Sequence, residues 1–118
     1  MTITFTVHGD AVPKQSFRVG NGHGFQSPRV TAWHDTVAWA ARAARTGSAP
    51  LAGPVKVTLD FYLTTRRRVD CDNLSKGMLD PMTHAGVFND DSQVVDLHVR
   101  KYFVPRGAGR VVVTVEAA

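Results

Sequence analysis

The chain has a single cysteine, Cys71, among its 118 residues. An internal disulfide is impossible, which fits a reducing, cytoplasmic setting and not a small secreted, cross-linked fold. No apolar run approaches the roughly 20 residues that a membrane span needs, so no membrane association is expected. The opening MTITFTVHGD lacks a basic segment followed by an apolar block, which argues against a secretory signal. The five histidines have no paired spacing and Cys71 has no cysteine partner, so nothing suggests zinc. Low-complexity tracts, internal repeats and linkers are also missing, and residues 1–118 read as one domain with one core. Acidic residues are the scarcer sign, ten against fourteen lysines and arginines, giving a net charge of +4. That balance favours polyanionic partners.

What is present alternates between strand and helix periods. Ile3, Phe5 and Val7 alternate with polar residues as a half-buried strand does. The following GDAVPKQSFRVGNGHGFQSPR reads as a long loop or loosely paired hairpin, and its Lys14, Arg18 and Arg29 suit phosphates or a solvated surface equally well. Ser27-Pro28 predicts a helix start, and Trp33, Val37, Ala40, Ala41 and Ala44 form its apolar stripe up to Gly47. Trp33 lies on that stripe and reads as core; Trp39 lies off it and reads as an interface or peripheral residue. Val55, Val57, Leu59 and Phe61 predict a second strand. A second helix is expected over Asn73 to His84, burying Leu74, Met78, Leu79, Met82 and Ala85, with Pro81 kinking it or ending it early. Val95, Leu97 and Val99 predict a third strand, and Arg110 to Glu116 a fourth after the PRGAG turn. The order β-α-β-α-β-β implies a two-layer α/β (α+β) domain. Its sheet would be mixed, with two helices, a parallel core from the crossovers and a terminal hairpin.

The densest charge lies in RRRVDCDNLSKGMLD, residues 66–80. Asp70 and Asp72 are two apart, and in extended chain such residues point to one side. Asp90 and Asp91 follow in a turn just before the third strand. If the second and third strands are parallel neighbours, Asp70 and Asp91 stand a strand length apart. Convergence would then need a short, tilted helix or an antiparallel neighbour. Three or four converging carboxylates would make a hard oxygen site for Mg²⁺ or Mn²⁺, suited to phosphate chemistry. Lys76 shares a helical face with Asp72 and Asp80 and could meet the scissile phosphate. Arg66, Arg67 and Arg68 would grip flanking phosphates. The bland reading stands beside this one: Asp70 or Asp72 as a helix cap, Lys76 as an i+4 partner, Asp90 and Asp91 as turn residues.

The run RRRVDCDNLSKGMLDPMTHAGVFNDDSQVVDLHVRK resembles the core of the RusA family of Holliday junction resolvases. The shared pattern is basic residues, D-x-DN-x-x-K, a helix ending in A-G, and DD-x-QV. VPKQSFR also resembles the family's first loop, and the likeness spans nearly the whole chain. It implies a Mg²⁺-dependent endonuclease (with Mn²⁺ as a substitute) that acts as a homodimer on branched DNA and places paired, symmetric nicks in four-way junctions. By motif, Asp70, Asp72 and Asp91 match the metal-binding acids, Asp90 the companion acid and Lys76 the essential lysine. Arg68 and its neighbours Arg66 and Arg67 match the basic, DNA-contacting approach to the site, and Lys14 and Arg18 in the first loop are further candidates for DNA contact. In such a dimer the acids would come together partly through assembly. The family is common in bacteriophages and prophages.

Two other classes are weighed against it. A non-catalytic nucleic-acid-binding module of the same fold would gain nothing from four acids beside a polyanion, and would bind in a salt-sensitive way without turnover. A small structural protein would use the same acids as caps and turns, indifferent to divalent metal.

Overall fold

A computed structural model of the chain describes residues 2–13, 18–20, 23–25, 27–66 and 69–118, with only the backbone given for 18–20 and 23–25. β1 (Thr2–His8) turns Ile3, Phe5 and Val7 inward. β2 (Arg18–Gly20) and β3 (His23–Phe25) pair as a separate antiparallel hairpin. α1 (Pro28–Ala44) starts where the sequence predicts: the Ser27 hydroxyl accepts from the Val30 N–H at 3.3 Å, and Pro28 fills the first helical position. Val30, Trp33, Val37 and Ala41 are buried, Ala44 is exposed, and Gly47 at φ +80° carries the chain out of the last turn.

β4 (Val55–Leu63) alternates without fault, its five odd-numbered side chains buried beneath the helices. α2 (Cys71–His84) begins two residues before the expected Asn73. Pro81 does not end it early. In the final turn proline forfeits only one helical hydrogen bond. Its own carbonyl still receives the Ala85 N–H at 2.9 Å, and its ring is buried. A single 3-10 turn, Asp91–Gln93, then leads into β5 (Val94–Phe103), and β6 (Arg110–Ala117) closes the chain.

The architecture is α+β: a mixed four-stranded sheet in the order β1-β6-β4-β5, with α1 and α2 packed on one face. The expected terminal hairpin is absent, because β5 and β6 do not pair. β6 runs antiparallel between β1 and β4 instead. Val111, Val113 and Val115 are all fully buried there, as an edge position would not allow. The only parallel contact in this sheet is β4 with β5, so the expected parallel core reduces to one pair.

That pair leaves β5 on an edge. A register shift beside Val55 gives the core-side position to Val94 where the alternation predicts Val95, which stands 64% exposed. Leu97 and Phe103 share the helix-side face but remain 41% and 47% exposed, since α2 does not reach across them. The two kinds of site should respond differently to truncation. Leu59→Ala, in the fully buried centre of β4, should cost about 3 kcal/mol of unfolding free energy. Leu97→Ala should cost under about 1 kcal/mol in the monomer. Urea denaturation at low protein concentration compares them directly.

Candidate active site

Asp70 stands where the chain leaves β4 for α2. Its backbone takes the extended N-cap conformation, φ −75° and ψ 137°, yet its side chain makes no capping hydrogen bond. The carboxylate is therefore not serving as the helix cap that the bland reading supposes. It lines a cleft of about 460 Å³ together with Asp10, Arg29, Thr64, Thr65 and Asn73. Asp72 lies in the first helical turn, so the two aspartates do not share one extended stretch as the i, i+2 spacing suggests. Lys76 Nζ sits 3.5 Å from Asp72 Oδ2, one turn on. Both side chains are more than half exposed, and such a pair is worth only roughly 0.3 kcal/mol. Folding does not require it. Lys76 and Asp80 also border a small cleft against Trp33 and His34.

Asp10, just past the end of β1, is a further acid at this cleft. The Thr64 hydroxyl donates to its Oδ1 at 2.8 Å, and a side chain at Gly109 would collide with the same carboxylate. Gly109 carries no positive φ, so its lack of a side chain serves space, not backbone freedom. The available signal was the Gly-Asp pair ending the first strand. Nothing in the spacing tied it to Asp70.

Asp90 and Asp91 open the turn before β5. Gln93 organises that turn: its Oε1 accepts the N–H groups of Asn89 and Asp90 at 2.8 and 3.0 Å. Its Nε2 donates to the carbonyls of Leu51 and Gly53 at 2.9 and 2.8 Å, tying the turn to the segment before β4. The Ser92 hydroxyl donates to Asp90 Oδ2 at 2.8 Å, and this bond is the main reason the Asp90 carboxyl titrates below its ordinary range. Asp90 thus has a local structural partner, and both Asp90 and Asp91 are exposed on the turn.

The two acidic groups do not meet within one chain. β4 and β5 run parallel from Val55↔Val94 to Leu63↔Phe103. Asp90 and Asp91 lie at the first end and Asp70 and Asp72 beyond the second, roughly 25 Å away along the strands. Pro81 does not shorten α2 enough to change this. Among the described residues, no group of three or more His, Cys, Asp or Glu side chains is placed to hold a metal ion. The donor chemistry is nonetheless that of a hard cation, carboxylate oxygens without sulfur or imidazole.

Basic residues gather at the Asp70 end. The Arg66 guanidinium lies 4.8 Å from the Phe103 ring centroid, and Lys101 Nζ donates to the Val69 carbonyl at 2.9 Å. Lys14, Arg67 and Arg68 lie outside the described residues, and Arg18 is described only as backbone in β2. Two histidines without paired spacing do meet in space: His34 Nε2 and His84 Nδ1 are 2.9 Å apart and clip α1 to α2.

The model of the family described as endodeoxyribonuclease RusA matches residues 8–116. The chain belongs to that family. Its enzyme class is accordingly that of a DNA endonuclease. Among similar proteins, the crossover junction endodeoxyribonuclease RusA of Escherichia coli (strain K12) is 38% identical over 99 residues, covering 84% of this chain and 81% of that protein. The protein of the same name from Aquifex aeolicus (strain VF5) is 34% identical over 92 residues, 76% of this chain and 72% of its own. That of Enterobacteria phage 82 is 46% identical over 65 residues, about half of each chain at 55% and 53%.

For a RusA-family chain, the Gln93 clamp gives the DD-x-Q spacing a physical reason. One amide satisfies four backbone groups and fixes the approach to Asp91. Gln93→Ala should lower stability by about 2 kcal/mol, since it strips partners from a part-buried turn. A chemical denaturation curve measures the loss. Stability within about 0.5 kcal/mol of wild type would mean the turn holds without its clamp.

Proposed function

We propose that this chain is a structure-selective DNA endonuclease that resolves four-way junctions by paired symmetric nicks. It would act as a homodimer in the cytoplasm, with residues 1–118 working as one domain. The supporting observation is the separation of its acids, Asp70 and Asp72 at one end of a parallel strand pair and Asp91 at the other.

A two-fold dimer turns that separation into convergence. β5 is a free edge strand whose Val95, Leu97 and Phe103 are uncovered. Antiparallel pairing of β5 with its symmetry mate sets the start of one strand beside the end of the other. Asp91 of one subunit then approaches Asp70 and Asp72 of its partner, and the same contact covers the apolar edge. Lys101 supports this register, because its bond to the Val69 carbonyl holds the entry to α2 against the end of β5.

Asp70, Asp72 and Asp91 would hold Mg²⁺, with Mn²⁺ as a substitute and Asp90 as a companion acid. When bound, the metal polarises a phosphoryl oxygen and lowers the pKa of a bound water. The chain's own residues do the positioning. Arg66, with Arg67, Arg68, Lys14 and Arg18, would draw in the phosphate backbone and supply salt-dependent affinity. Lys76, one helical turn from Asp72, would exchange that exposed pair for the scissile phosphate and stabilise its developing charge. A non-catalytic binding module would not account for acids kept beside the cations that attract DNA.

Subunit mixing tests the chemistry and its geometry together. Asp70→Asn and Asp91→Asn should each abolish cleavage of a labelled four-way junction in Mg²⁺ while binding persists. Mixed after unfolding and refolding, they should regain single-strand nicking without paired resolution. Only a mixed dimer whose site spans both chains has one intact Asp70, Asp72 and Asp91 set. If mixing restores nothing although mixed dimers form, the acids do not act across the interface. Equal cutting of plain duplex would remove junction selectivity from the reading.

A further inference from the structure

Two carboxylates and one guanidinium line the cleft at Asp70, and no ion pair among the described residues takes any of them. Asp70 stands at the start of α2, Asp10 just past the end of β1, and Arg29 in the first turn of α1. Opposite charges gathered in one cleft would ordinarily close to within about 4 Å of each other. Here Asp10 is held elsewhere: the Thr64 hydroxyl donates to its Oδ1, and Gly109 leaves that carboxylate room against the wall. The first turn of α1 carries no acidic residue, and Ala32 and Trp33, three and four positions on, offer Arg29 no carboxylate. Its charge is left to the cleft.

Arg29 also borders a second, more open depression of about 290 Å³. This one shares Asp10, Val12 and Arg29 with the first and continues along α1 past Ala32 to Thr36. The two form one track with Arg29 at the divide. It leads from Asp70 toward the end of β1, and β1 is the opposite edge of the sheet from β5. The track therefore lies away from the edge through which the subunits would pair.

We propose that Arg29 binds a backbone phosphate of the cleaved strand, next to the scissile one on the side that leads out along the duplex arm. This rests on the junction-cleaving reading above and adds to it the path by which the strand leaves the site. The family's activity on DNA supplies the occupant. A phosphodiester at Asp70 brings its neighbours with it, because each strand carries one phosphate per roughly 3.4 Å of helix axis. Within the cleft, Asp10 and Asp70 repel that next phosphate and Arg29 attracts it, so the guanidinium side is where it settles. An arginine fork meets two phosphate oxygens at once, and Thr65 and Asn73 line the same cleft as neutral donors. The direction follows from the sheet order: the β5 side belongs to the proposed subunit seam, which leaves the β1 side for the arm.

Metal-free binding to a four-way junction tests the contact apart from cleavage, using single methylphosphonates placed along the strand that crosses the branch. A methylphosphonate is uncharged, so each one deletes a single phosphate from the electrostatic contact. In the wild-type protein, neutralising the phosphate next to the scissile one on the arm side should weaken binding about five-fold. Arg29→Ala should weaken binding to the unmodified junction about twenty-fold and lower the salt slope by about two, one contact per subunit. At that position Arg29→Ala should be indifferent to the methylphosphonate, while every other position stays as sensitive as in wild type. Arg29→Lys should keep the salt slope. Because Arg29 is exposed, thermal unfolding of both variants should match wild type. An unchanged salt slope in Arg29→Ala, or wild-type sensitivity to every methylphosphonate, would overturn the assignment. A protein that binds plain duplex as tightly as the junction, yet shows the Arg29-dependent position on it, would count against the resolvase reading and leave this contact standing.

Discussion

The parallel contact between β4 and β5 is the constraint on which the rest of the molecule turns. Two parallel neighbours cannot be joined by a tight turn, so α2 must carry the chain back along the sheet before β5 begins. The return fixes where chemistry can stand. Whatever leaves β4 is at one end of the sheet, and whatever enters β5 is at the other. Asp70 and Asp72 take the first position, Asp90 and Asp91 the second. The same contact, with β6 already occupying the other side of β4, leaves β5 with one unpaired edge. Separated acids and an open edge are two consequences of one topological choice, and the two-fold axis proposed through that edge would resolve both.

The charges at the Asp70 end are arranged so that attraction does not cancel function. An arginine run beside aspartates would ordinarily collapse into ion pairs. Among the described residues, the neighbouring cations rest on other groups. Arg66 lies on the Phe103 ring, Arg110 on Tyr62 and Lys101 on the Val69 carbonyl. Aromatic faces and carbonyls hold a cation without consuming its charge as a carboxylate does. Those cations keep positive potential for a phosphate backbone, and no described ion pair takes Asp70. Asp72 is the exception, and its pairing with Lys76 is exposed and weak enough to exchange.

Local signals made much of this legible in the sequence, and pairing made the rest illegible. Ser27-Pro28 marked the start of α1 because capping is chemistry between residues three apart. The alternation in β4 marked a buried strand because both neighbours are present. The same alternation in β5 misled, since a hydrophobic period reports which way side chains point and not whether anything covers them. Leu97 is exposed for that reason, and Val95 because the register shift beside Val55 gives its core-side place to Val94. The terminal hairpin failed likewise: a turn signal between β5 and β6 says the chain reverses, not that the strands touch. At the site, the motif marked Asp70, Asp72, Lys76 and Asp91, and the strand-length separation followed from assuming parallel neighbours. Asp10 and the Gln93 clamp were out of reach. Their partners, Thr64 and Gly109 in one case and Leu51 and Gly53 in the other, are distant in sequence.

A site divided between two chains has a consequence that a self-contained one lacks. On the dimeric reading proposed above, a monomer would carry half of each metal-binding set and would be inert toward phosphodiesters, however well it folds. Assembly would create two sites at once, related by the dimer axis and facing opposite strands. Cutting would then be confined to substrates that can present two equivalent phosphates across an approximate two-fold, which a four-way junction does and a single duplex end does not. Selectivity for branched DNA would thus arise before any base is read, from the same edge contact that completes the carboxylate set.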